Sequence, residues 1–165
     1  MPQVPHSAAT NEPVRDQRQR VSVVTDLPIP KMFDFLSIPA NHILMDGSKQ
    51  LQASATKTPI TGVGQTFLIS MENSTDGPYE IENHVVEFIP DVQISWMPAR
   101  PGTTPVGVRW DWQFDVGPRG ETQVTQTCDW SAVTDEGFMK RRHPPFISAE
   151  QMKRSITKMI NLIGS

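Results

Sequence analysis

The chain has 165 residues, 37% of them hydrophobic and 20% charged, with a formal net charge of −3 and a pI near 5.8. That length suits one domain burying about two-thirds of its unfolded surface, and the slight acidity argues against nucleic acid as a bulk partner. No apolar run reaches the roughly 18 residues of a membrane span, so no membrane insertion is expected.

Residues Met1 to about Gln17 are polar, broken by prolines and free of periodicity. They bury too little apolar area to offset their ordering entropy, so a flexible tail is expected, followed by a single domain over 18–165. The tail lacks the apolar h-region of a secretion signal. The lone Cys128 leaves no internal disulfide and fits a reducing compartment, so the expected location is cytoplasmic.

From Arg18, RQRVSVVTD reads as a strand. Leu27-Pro28-Ile29-Pro30 breaks it, and Pro30 suits a first helical turn. Met32, Phe33, Phe35 and Leu36 then recur at helical spacing, giving a short helix over Ile29–Ser37 that Pro39 ends. Asn41–Met45 adds a turn before the turn signal Asp46-Gly47. Six strands follow, over Lys49–Thr56, Gln65–Glu72, Tyr79–Ile89, Val92–Ala99, Val106–Val116 and Glu121–Val133. The Gly- and Pro-rich connections between them imply antiparallel hairpins and a meander covered on one face.

Lys140-Arg141-Arg142-His143 has no interleaved aromatics and reads as a solvated loop. The cover for the sheet comes last. Ser148 and Gln151 form a capping box, and Met152, Ile156, Met159, Ile160 and Ile163 then line one face of a helix of about 16 residues, roughly 24 Å long.

Val106–Phe114 is the most informative strand, with Val106, Val108, Trp110, Trp112 and Phe114 on one parity. Gly117-Pro118-Arg119-Gly120-Glu121 suits a type I turn with Gly120 in a G1 bulge. That loop pairs Phe114 with Val124, Trp112 with Gln126, Trp110 with Cys128 and Val108 with Trp130. The opposite face gains an Arg109–Asp129 pair. Asp111 and Asp129 are candidate catalytic carboxylates, but a solvent-side ion pair is the favoured reading. In Tyr79–Ile89 either Glu82, His84, Val86 and Phe88 or Ile81, Asn83, Val85 and Glu87 could face inward. Matching Val86 and Phe88 against Ile94 and Trp96 favours the first set, which turns His84 in.

The order of elements, together with VSVVTDLPIPKMFDFL, MDGSKQL, ISWMPARPGTTPVGVRWDWQF, VTQTCDWS, HPPF and the final helix, resembles the START/Bet v 1-like (SRPBCC) superfamily, specifically its polyketide cyclase/dehydrase-like proteins. The resemblance runs from about Arg18 to Ile163 and rests on order and spacing rather than on any single motif. It implies an α+β helix-grip fold, with a curved seven-stranded antiparallel sheet around the long C-terminal helix and two short helices after the first strand. It also implies an internal apolar cavity for a lipid, sterol, polyketide or other hydrophobic molecule.

Fold alone does not decide between carriage and chemistry. No nucleophile elbow, P-loop, dinucleotide fingerprint or metal-ligand spacing occurs, so neither metal nor cofactor is expected. Polar groups suited to cyclase chemistry are few, with His84 the weak candidate for acid or base and Tyr79 for donor. The leading reading is a binder of a small hydrophobic ligand, contacted by Trp96, Trp110, Trp112, Phe67, Phe88, Phe146, Met152, Ile156 and Met159. The alternative is a polyketide cyclase/dehydrase-type enzyme. A third reading is an interaction module with a vestigial cavity, in which an exposed Lys49–Thr56 edge could pair two copies as a homodimer.

Overall fold

A computed structural model of the chain describes residues 9–11 and 17–165. Most of the expected tail lies outside the described residues, but Ala9–Asn11 forms a three-residue strand, β1. The elements after it are β2 (Arg18–Thr25), α1 (Ile29–Leu36), α2 (Pro39–Met45), β3 (Leu51–Ala53), β4 (Thr66–Asn73) and β5 (Gly77–Ile89). Then come β6 (Gln93–Ala99), β7 (Arg109–Val116), β8 (Thr122–Asp129), α3 (Glu136–Arg142) and α4 (Ala149–Gly164). Every pairing is antiparallel, in the order β1-β2-β8-β7-β6-β5-β4-β3. The seven strands from Arg18 onward form the curved sheet of an α+β helix-grip fold, with β1 added at one edge.

Turn chemistry sets the register of the central hairpin. Gly120 adopts φ +82°, and Gly117 N donates to Glu121 O at 2.7 Å. Trp110 then faces Cys128, Trp112 faces Gln126 and Phe114 faces Val124, as the G1-bulge loop dictates. The β7 ladder starts at Arg109 rather than Val106, because Gly107 turns the chain with φ +118° against the backbone of Ala132. Val108 and Trp130 lie beyond the ladder yet share a second core cluster around Cys128.

β5 departs from both readings of its inward face. A bulge at Val86 separates the pairs Val85–Trp96 and Glu87–Ser95, and one extra residue reverses the parity of the strand. Before the bulge Asn83 and Val85 are buried. Beyond it Phe88 packs into the core opposite Ile94. Val86 therefore does not match Trp96, and His84 does not point inward.

β3 is shorter than the expected Lys49–Thr56 edge. Lys49 has φ +62°, and the side chains of Ser54 and Thr56 bond the Leu68 backbone at 2.7 and 2.9 Å in place of a ladder. That blunts the edge expected to pair two copies. The basic Lys140–His143 segment is not a loop. It is the last turn and C-cap of α3, whose N-cap Asp135 accepts from Phe138 N at 2.9 Å. Acid at the start and cations at the end complement the helix dipole, which a search for apolar periodicity does not register.

α4 begins with the expected capping box, with Gln151 N donating to Ser148 Oγ at 3.1 Å and Ser148 N to Gln151 Oε1 at 2.9 Å. It packs on β2, α1 and α2. The Asp46-Gly47-Ser48 loop locks against it: Gly47 N donates to Ser155 Oγ at 2.8 Å, and Arg154 Nη1 donates to Gly47 O at 3.0 Å.

Candidate functional site

A cavity of about 970 Å³ lies over the inner face of the sheet, bounded by α2, the β3–β4 side, α3 and the segment before α4. Trp96, Trp110 and Trp112 line it, as does Phe146. The ladder explains their grouping, since Trp96 faces Trp110 across β6 and β7, and Trp112 is two residues along on the same side. Phe146 packs edge-on against Trp130, with centroids 5.9 Å apart, and beside Phe138 at 5.8 Å, closing one end.

The other expected ligand contacts lie elsewhere. Met152, Ile156 and Met159 are 0% exposed in the packed core and are not part of the cavity wall. The physical reason is that α1, α2 and β2 cover the apolar face of α4, so α4 presents Ser155 to the cavity instead. Phe88 is partly buried at the edge of the core, meeting Phe33 edge-on at 5.2 Å, away from this cavity. Phe67 stands behind the wall, edge-on to His42 and Trp96, each at 5.3 Å.

His84 also lies off the cavity. It sits on the outer side of β5, with Nε2 3.3 Å from Glu82 Oε1, and is replaced on the wall by Asn83. Glu87 faces outward too, 3.9 Å from Arg109. Arg109 is opposite Asp129 in register but bonds Asp111 on its own strand, with Nε at 3.1 Å from Oδ1. Asp111 also accepts from Ser95 Oγ and from Gln93 Nε2. Asp129 instead holds the next turn, accepting from Ser131 N at 2.8 Å. Both carboxylates are thus engaged by local partners. Cys128 is buried, and that burial, with Asp129 and Asp111 nearby, pushes its thiol pKa up.

The cavity holds polar groups that sequence reasoning did not single out, beside Asn83, which belonged to the second candidate inward set of β5. His42 on α2 is buried, stacks on Trp96 and bonds the Leu36 carbonyl through Nε2 at 2.7 Å. Burial lowers its pKa to about 4, against the opposing effect of that bond, so the ring is neutral near pH 7. Its signal in the sequence was the spacing Pro39, His42, Met45, one buried stripe of a short helix. Asn83, Gln126 and Ser155 complete the buried polar lining. Asp46 borders the cavity, but its carboxylate accepts from Ser48 N, Ser48 Oγ and Leu51 N.

At the rim, Arg142 of α3 reaches the β4–β5 hairpin. It pairs with Asp76, stands 5.7 Å over the Tyr79 ring and donates to the Tyr79 hydroxyl at 3.5 Å. Asn73 Nδ2 joins the same group, 3.2 Å from both Asp76 Oδ2 and the Tyr79 hydroxyl. Among the described residues no cluster of His, Cys, Asp and Glu could hold a metal ion, and no helix is long and apolar enough to cross a membrane.

No family model matches the chain. Over 112 residues it is 28% identical to the uncharacterized protein Rv0088 of Mycobacterium tuberculosis, a match covering 68% of this chain and 47% of that protein. The chain thus spans about half the length of the curated relative it matches. Among solved structures it is similar to protein Ms6760 from Mycobacterium smegmatis, with TM-score 0.66 and 12% identity over 97% of this chain and 98% of that one. A protein from Arthrobacter aurescens gives 0.67 and 10%, over 96% and 92%. The Aha1 dimer from Colwellia psychrerythraea gives 0.51 and 14%, over 88% and 92%. Identities this low show the fold alone, and the chain shares that fold with all three.

Proposed function

We propose that this chain binds and carries a small hydrophobic ligand, as the resemblance to START/Bet v 1-like proteins implies. The observation that carries the reading is the continuous cavity of about 970 Å³ beside three tryptophans. Its size falls within the usual range for small-molecule sites, and its lining combines aromatic walls with a few polar groups. It also weighs against a vestigial cavity. Trp96, Trp110, Trp112 and Phe146 are the proposed contacts. Phe67, Met152, Ile156 and Met159 support the wall from behind, and Phe88 packs farther off against Phe33. A buried, reduced Cys128 suits the cytoplasmic location we propose.

The cyclase alternative is not favoured, because its candidate His84 lies off the cavity and His42 is too weak a base near neutral pH. Native mass spectrometry of the protein purified gently from its own cells should reveal a co-purified small molecule. An unliganded mass, together with no thermal shift across a panel of apolar and aromatic compounds, would overturn the proposal.

A further inference from the structure

Within this cavity one buried polar atom has no partner. Gln126 is 8% exposed, and its Oε1 is buried without a hydrogen bond among the described residues. A buried amide oxygen left unpaired carries its full desolvation penalty, so native folds retain few of them. Gln126 lines the cavity directly opposite Trp112, diagonal to Trp110. Across the indoles stands His42, stacked on Trp96. With Nε2 donating to Leu36 O, its Nδ1 keeps a lone pair. The interior thus offers a flat aromatic floor between two neutral polar groups, the His42 acceptor and the Gln126 amide.

Charge is confined to the rim or already paired. Of the arginines lining the cavity, Arg100 and Arg141 are exposed, and Arg142 is bound to Asp76. Asp46 is saturated by its own loop. An anionic group seated at Gln126 would meet a neutral amide and no free cation, which is costly in an apolar site.

Building on the ligand-carrier reading, we infer that the cavity selects a neutral, flat aromatic molecule bearing a hydroxyl, with Gln126 as the residue that recognises the hydroxyl. A hydroxyl both donates and accepts, so it serves the amide in either of its two orientations. The rings lie on Trp110 and Trp112.

Calorimetric titration at pH 7 with 2-naphthol, 2-methoxynaphthalene and 2-naphthoate tests this. The expected order places 2-naphthol roughly tenfold tighter than its methyl ether, the scale of one well-made hydrogen bond, with 2-naphthoate weakest. Gln126→Leu, with Gln126→Met as a second variant, should abolish the preference, bringing 2-naphthol and its methyl ether to within about twofold of each other. Equal binding of 2-naphthol and its ether by the unaltered protein would overturn hydroxyl recognition and leave the carrier reading standing. So would a preference for 2-naphthoate, or a naphthol preference that survives in both variants. Binding of none of the three would count against both readings.

Discussion

The His42 imidazole lies nearly parallel to the Trp96 indole, with centroids 5.0 Å apart and planes 18° from each other. This stack joins α2 to the floor of the cavity, and burial of the imidazole keeps its ring neutral there.

The consequence is an acid sensitivity. In the unfolded chain the ring titrates near 6.5, and in the folded chain at about 4. Between those values the unfolded state holds more protons, so stability is complete above about pH 6.5, declines as pH falls toward about 4, and then levels off. The decline attributable to His42 is about 3 kcal/mol. Urea unfolding from pH 7 to pH 4 should show a steeper loss for the native sequence than for His42→Phe. Parallel profiles would mean the ring titrates normally.

Gly47 is where the loop after α2 touches α4. A Cβ there would stand 2.4 Å from Gln151 O and 2.9 Å from both Arg154 Cβ and Ser155 N. Two of these are backbone atoms of a helix, which cannot yield. Gly47→Ala should cost about 1–3 kcal/mol of stability by overpacking, read as a lower urea midpoint with an unchanged slope. A wild-type midpoint would refute the tight approach.

Arg142 and Asp76 connect α3 to the β4–β5 hairpin across the rim. Both side chains are partly exposed, so the ion pair contributes under about 1 kcal/mol to folding. Its effect should appear in traffic through the rim. Arg142→Ala is expected to keep Tm within a few degrees and speed 2-naphthol dissociation several-fold in stopped flow, since interface changes act mainly on off-rates. An unchanged dissociation rate would place the ligand's route elsewhere.

How much of this was legible depended on where the information resided. The β7–β8 register followed from Gly120 and its neighbours, because turn type dictates pairing. The capping box of α4 and the break at Pro28–Pro30 were equally local. The inward face of β5 was not, since Val86 carries no turn residue to announce a bulge. Nor was the role of Met152, Ile156 and Met159: their periodicity marks a buried face, but only the tertiary arrangement decides whether protein or ligand covers it. His42 was overlooked because a single histidine on a seven-residue helix has no partner in sequence to mark it.

The bulge at Val86 divides one strand between two environments. On one side Phe88 packs against Phe33 and opposite Ile94 at the edge of the core; on the other Asn83 faces the cavity. A single inserted residue therefore acts as a bulkhead between the hull and the hold. Sliding it along the ladder would turn Val85, now in the core, to the other face, so the position of the bulge sets cavity wall and core together.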